Sequence, residues 1–336
     1  VRLIIYLFVT KLKLFKFGLT KVLILYLVVF WHKHLRHCNF KEEQMDNMQE
    51  NYFFEGNEID IGNCRTVCLT LGPYRNLTTL TAAVLFLHPN CQVLNHAGDR
   101  IFDNGEVNFL SGYTRDKFNN FISYAAKISS GGKRGDYGGS ITYSHAFDST
   151  RPISSIVNNP GQNLLKEKID CLYWKESLRT SNFIKDNNIN LEFIFKKEER
   201  LRFLMPVRNP LDCAKSNLKT GHAYRFNSIN ESSGIEDVVK AILEEFHWFA
   251  TYKRRFPDRF FYYFENSISY EMIENLADFL KLEKDKDWLI NAKTAMVTVS
   301  GYKHDKTLID FYRKTVEKQF SDMNGLQEKL LSFYPY

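Results

Sequence analysis

Two stretches of this chain carry side chains suited to anion chemistry where a strand runs into a helix. The first, Val67–Leu87, reads Val-Cys-Leu-Thr-Leu-Gly-Pro-Tyr-Arg-Asn-Leu-Thr-Thr-Leu-Thr-Ala-Ala-Val-Leu-Phe-Leu. An apolar run enters a short polar turn, and the turn enters an apolar helix. The first N–H groups of a helix have no internal partner, and its dipole leaves partial positive charge there. An anion is stabilised at that point. Arg75 adds a full charge, and Thr78 and Thr79 add hydroxyl donors. A junction that binds nothing has the same outline, so this turn alone decides little.

The second stretch, Arg202–Asn217, reads Arg-Phe-Leu-Met-Pro-Val-Arg-Asn-Pro-Leu-Asp-Cys-Ala-Lys-Ser-Asn. Arg208 closes an apolar strand, Pro210 suits the first turn of the next helix, and Ser216 lies about two turns into it. Open α/β sheets bind ligands at strand carboxyl ends. A guanidinium there forks onto a phosphate, and a hydroxyl adds a donor. Asp212 either holds Arg208 or caps the helix, and an ordinary surface ion pair between the two is the plain alternative.

The elements that must position these residues alternate. Strands are expected at 65–71, 91–95, 172–174, 201–207 and 260–264. Helices are expected at 78–87, 115–128, 178–185, from 210, at 235–255 and at 269–280. Residues 103–163, rich in Gly, Ser, Asn and Asp, read as loops around one helix. The β-α-β rhythm predicts an α/β fold with a central parallel sheet and helices on both faces.

Composition sets limits. The chain has 336 residues, 44% of them hydrophobic and 15% aromatic, which suits one large α/β domain, or one domain with an appendage. Residues 1–44 hold eight basic and two acidic residues, which accounts for the whole formal net charge of +6. The remainder is formally neutral, and no general basic face points to nucleic acid. Residues 1–44 are also apolar. They read either as a basic membrane anchor through residues 14–31 or as an upstream extension that the native protein lacks. The domain proper is placed at 60–336. The six cysteines form no Cys-x-x-Cys pair. They read as buried free thiols in a reducing compartment, with oxidised pairs as the alternative. The location expected is cytoplasmic, with membrane anchoring through residues 14–31 as the alternative. No metal-ligand cluster is evident.

The two anion stretches, in this order, resemble sulfotransferases that use 3′-phosphoadenosine 5′-phosphosulfate (PAPS). The family's 5′-phosphosulfate loop typically reads Pro-Lys-Ser-Gly-Thr-Thr. Here Arg75 stands for the Lys, Asn76 for the Ser and Leu77 for the Gly, while Thr78 and Thr79 match. Leu77 is a departure that implies a slightly different loop conformation. Arg208-Asn-Pro-Leu-Asp212 followed by Ser216 is similar to the family's 3′-phosphate motif. Phe260–Leu280 and Trp174–Ser177 also resemble family segments, so the likeness covers roughly residues 64–312.

The resemblance implies a P-loop nucleotide-hydrolase-like three-layer sandwich, PAPS as co-substrate and no metal. It assigns the 5′-phosphosulfate to Arg75, Asn76, Leu77, Thr78 and Thr79, and the 3′-phosphate to Arg208 and Ser216. A loop over 299–305 places Tyr302 and Lys303 against the nucleotide, with a plain solvent-facing loop as the alternative. Lys175 would stabilise the leaving oxygen. The His used by the cytosolic branch is replaced near Ser177, which leaves Glu176 and His96 as candidates for the base. Glu176 otherwise pairs with Arg179, and His96 otherwise bonds to turn backbone. The loops 103–163 and 218–234 are expected to shape the pocket of a hydrophilic acceptor, carbohydrate among the candidates. Two further readings stand beside this one. One is a P-loop kinase, disfavoured because the turn lacks Gly-Lys-Ser/Thr and no acidic strand end suits Mg²⁺. The other is a non-catalytic sulfotransferase-like binding protein.

Overall fold

Among the described residues six strands build one sheet: β1 (Thr66–Thr70), β2 (Cys91–Asn95), β3 (Gly139–Ser140), β4 (Cys171–Lys175), β5 (Leu201–Val207) and β6 (Phe260–Phe264). The structure is a computed structural model that describes residues 62–132, 138–157, 164–298 and 302–335. The expectations for residues 1–44, the span 14–31 among them, lie outside the described residues. The strands lie in the order β3-β2-β4-β1-β5-β6. Pairing is parallel at β2–β4, β4–β1, β1–β5 and β5–β6, with Thr66 opposite Cys171 and Val67 opposite Leu201.

Side chains alternate across the sheet as the two-residue strand period demands. Val67, Leu69, Leu172 and Trp174 enter the core on one face, and Cys68, Cys171 and Tyr173 enter it on the other. The first face is covered by α3 (Arg115–Ser129), α5 (Leu178–Asp186), α6 (Leu191–Lys197), α7 (Pro210–Lys219), α8 (Ile235–Arg255), α11 (Lys306–Gln319) and α12 (Asn324–Leu331). The opposite face is covered by α1 (Thr78–Phe86), α4 (Pro152–Ile156), α9 (Tyr270–Leu280) and α10 (Lys286–Ala295). Both faces being covered explains why β1, β4 and β5 are buried along their whole length.

Three features differ from the sequence reading. The sheet is not wholly parallel, because β3 pairs antiparallel with β2 through Ser140–Leu94 and Gly139–Asn95. This two-residue edge strand arrives from a loop and needs no crossover helix. Residues 103–163 hold more than one helix, since two short 3-10 turns over 141–147 and helix α4 lie within them. Helices α6, α10, α11 and α12, and the short α2 (Gly98–Phe102), were not expected.

The chain order creates the crevice. After β1 the chain goes to β2, returns to β4 beside β1, and then continues to β5 and β6 on the other side. Strand order therefore reverses around β1, and the crevice lies at its carboxyl end between β4 and β5. Pro206, inside β5, fits this layout. The Leu204 carbonyl accepts from Leu71 N–H at 3.0 Å, so every second residue of β5 faces β1. β1 has left the ladder by position 206, so the missing proline N–H has no partner to disappoint. The free Pro206 carbonyl accepts from the Asn76 side chain instead.

Candidate functional site

The turn from β1 to α1 is built on unusual backbone. Gly72 has φ of +91°, and a Cβ there would sit 2.7 Å from the Met205 Cε. Its N–H donates to Ser181 Oγ at 2.9 Å. Leu77, at the N-terminus of α1, has φ 61° and ψ 6° and supplies no side-chain cap. That is the left-handed conformation a glycine adopts without cost. A leucine here therefore holds a backbone conformation that favours glycine. Several helices are capped by side chains, among them those after Thr114, Ser269, Asp285 and Asp305, while α1, like α5, has no side-chain cap. α1 is left uncapped where an anion would serve the same N–H groups.

Strain gathers here. Among the described residues, the non-glycine positions with positive φ are Arg75, Leu77, His96, Ala97, Ser177, Asn188 and Lys281. The first five all lie at the carboxyl ends of β1, β2 and β4. Such strain persists only where surrounding structure over-determines it, which is characteristic of functional sites.

The two anion stretches meet. Arg75 Nε donates to Ser216 Oγ at 3.0 Å, and Arg208 N–H donates to Asn76 Oδ1 at 2.8 Å. Asn76 is fully buried and joins the turn to β5 through both ends of its amide. It holds the two stretches together and turns no polar group outward. Asn209 caps α7 by accepting from Leu211 N–H at 3.0 Å. Asp212 is not the cap, and its carboxylate lies 3.8 Å from Arg208 Nη2. Glu265 lies 3.9 Å from Arg208 Nε, and that nitrogen is buried without a hydrogen-bond partner. Arg208 thus sits among charges but makes no close side-chain bond through Nε, as a guanidinium awaiting an anion would.

Two cavities flank the turn, and Arg75, Thr78, Thr79 and His145 line both. The first, about 420 Å³, adds His96, Lys175, Tyr74, Tyr143 and His222. The second, about 440 Å³, adds Leu77, Arg208, Ser216, Arg151 and Tyr302. Among the described residues no carboxylate lines the first cavity, and Glu265 alone lines the second. Lys303 is exposed and lines neither, while its carbonyl accepts from Lys215 Nζ at 3.2 Å.

The strand ends bring Lys175, His96 and Glu176 together. Lys175 Nζ donates to His96 Nε2 at 3.0 Å, and His96 Nδ1 faces the Glu176 carboxylate at 3.9 Å. These partners call for a neutral imidazole with its proton on Nδ1. The His96 backbone is held as well, because Trp174 Nε1 donates to the His96 carbonyl at 2.6 Å. Glu176 is 1% exposed and accepts from Gly98 N–H at 3.0 Å, so it stands behind His96 and does not line the cavity. Arg179 pairs with Asp99. Burial pushes the Lys175 ammonium down to about 8, with Arg75 adding to the fall and Glu176 opposing it. Burial also lowers His96 below the usual histidine range, against the opposing pull of Glu176.

Sequence reasoning missed His145 and His222. Burial lowers both, and the Arg75 charge adds to each shift. His222 packs on Tyr74 with ring centroids 5.3 Å apart. Neither sits in a periodic segment, so only residue type marked them. Among the described residues no group of three or more His, Cys, Asp or Glu side chains is placed to hold a metal ion. The five described cysteines are buried and free. Among the described residues no helix is long and apolar enough to cross a membrane.

No protein-family model matches the chain, and no curated protein matches it. The chain is similar to solved sulfotransferase structures, among them the following three. The sulfotransferase domain of the Synechococcus PCC 7002 olefin synthase is 15% identical, with 77% of this chain and 91% of that one covered and a TM-score of 0.35. Mouse sulfotransferase SULT7A1 complexed with PAP is 10% identical, with 83% and 90% covered and a TM-score of 0.36. Sulfotransferase STF9 from Mycobacterium avium is 11% identical, with 83% and 79% covered and a TM-score of 0.40. Likeness at this level carries no argument about activity.

Proposed function

We propose that the chain is a sulfotransferase, moving a sulfuryl group from PAPS to an acceptor hydroxyl. The observation that carries this reading is the pair of cavities meeting at one uncapped helix start. One side holds Arg208 and Ser216, and the other holds Lys175 and His96. That arrangement suits a two-phosphate donor on one side of a shared turn and a nucleophile on the other.

Arg75, Thr78, Thr79 and the turn N–H groups would hold the 5′-phosphosulfate, and Arg208 and Ser216 the 3′-phosphate. In the transfer, the acceptor oxygen forms a bond to sulfur while the bond from sulfur to the phosphate oxygen breaks. The freed oxygen keeps the electron pair, and the Lys175 ammonium faces that charge. Turning Lys175 toward the donor releases the lone pair of His96 Nε2, which takes the acceptor's proton. Glu176 supports the imidazolium so formed. Among the two candidates for the base, His96 reaches the cavity and Glu176 acts through it.

Hydroxyls of Thr78, Thr79, Ser140 and Ser144, the Asn95 amide and three imidazoles line the first cavity, with Tyr74 and Tyr143 beside them. This suits a polar acceptor, carbohydrate included, more than a flat apolar phenol. The free buried thiols suit a reducing compartment such as the cytoplasm. Incubation with radiolabelled PAPS and a panel of sugars and polar alcohols tests the reading. Label transfer is expected, and Lys175→Ala should lower turnover by about 100-fold or more. Donor binding with no transfer to any acceptor would instead mark a non-catalytic binding protein.

A further inference from the structure

Arg208 has two carboxylates within 4 Å, at Asp212 and Glu265, yet neither bonds it closely. Each has another claimant. Glu265 Oε2 accepts from Asn209 N–H at 2.9 Å. Asp212 Oδ1 lies 2.7 Å from His304 Nε2, at a buried contact where the side chains are 3% and 1% exposed. His304 comes from the segment just before α11, far along the chain from Asp212 on α7. The same segment meets α7 and the anion site at further points. Lys215 Nζ donates to the Lys303 carbonyl at 3.2 Å, and the Tyr302 ring lies 6.0 Å from the Arg208 guanidinium and 5.6 Å from Lys215 Nζ. Tyr302 lines the second cavity.

We infer that His304 is a positioning residue that withholds Asp212 from Arg208 and thereby keeps the guanidinium available to a ligand phosphate. The physical reason is competition. A carboxylate i,i+4 from an arginine on the same buried helix start would form a close bidentate pair if nothing else claimed it. A ligand phosphate would then have to break that pair before it gained anything. The hydrogen bond to His304 directs one Asp212 oxygen away, leaving the other at 3.8 Å from Arg208 Nη2. Arg208 Nε, whose nearby carboxylate Glu265 lies 3.9 Å away and accepts from Asn209 N–H, is likewise buried without a hydrogen-bond partner. The same bond anchors residues 302–304 on α7, which seats Tyr302 beside the guanidinium. The inference rests on the reading of Arg208 as the 3′-phosphate site.

Calorimetric titration of the full chain with adenosine 3′,5′-bisphosphate tests it. His304→Asn should weaken binding about tenfold, as expected for coupled neighbours in one charge network. Turnover at saturating donor should change far less, since the effect lies in donor binding. Adding Asp212→Asn to His304→Asn should restore most of the affinity, because the competing carboxylate is then gone. A merely structural histidine predicts no such rescue. Equal affinity of wild type and His304→Asn, or a double variant weaker than His304→Asn alone, would overturn the inference. Wild type that binds no bisphosphate would instead overturn the donor reading itself. A thermal melt of each variant separates misfolding from loss of affinity.

Discussion

Lys175 and His96 share one hydrogen bond, and burial moves both toward their neutral forms. The proposed roles need opposite states, a charged lysine and a neutral histidine. His96 is neutral above its lowered pKa, and Lys175 stays charged below about 8. The value of kcat/KM should therefore rise with pH to a plateau that begins below the ordinary histidine range. It should fall again as pH passes about 8. Steady-state rates across pH 5–10 check this, and His96→Asn should remove the acidic limb. A profile that keeps rising past pH 9 would show that Lys175 acts uncharged, or not at all. At this scale the sequence was informative where pattern and residue type agreed. Arg75, Thr78 and Thr79 sit in a strand–turn–helix pattern, and their placement follows from local chain geometry. His145 was not legible, because it reaches the turn only through the irregular 3-10 path after β3.

The turn between β1 and α1 is the element on which the site depends. Gly72 is required there for two reasons, its φ of +91° and the absence of room beside Met205. Gly72→Ala should lower stability by about 2 kcal/mol, combining backbone strain with overpacking. Chemical denaturation monitored by tryptophan fluorescence measures the loss, and an unchanged midpoint would show that the turn tolerates a Cβ. Leu77 holds a left-handed backbone there at a local cost of about 1–2 kcal/mol. The long elements were legible because period and capping agreed, as at β5 and α8. Helices α6 and α12 are seven and eight residues long, about two turns each, too short for an apolar period to declare itself. β3 has two residues and owes its existence to the edge of β2.

For the whole molecule, the deciding feature is the reversal of strand order around β1. It brings Arg208, which lies 133 positions after Arg75, to the same crevice, where Arg208 Nη1 meets the Arg75 carbonyl at 3.4 Å. Nothing local in the sequence specifies that meeting. The β-α-β rhythm made it expected, and the parallel pairing of β5 with β1 brings it about. The same topology places Lys175, at the end of β4, on the other side of the turn. The central claim is that these strand ends form a two-phosphate donor site. Calorimetric titration with adenosine 3′,5′-bisphosphate, for wild type and Arg208→Ala, tests it most directly. Saturable one-to-one binding is predicted for wild type, with affinity reduced about 100-fold in Arg208→Ala, as for loss of one partner of a buried charged contact. Absence of binding to folded wild type, or equal affinity in the variant, would contradict the account.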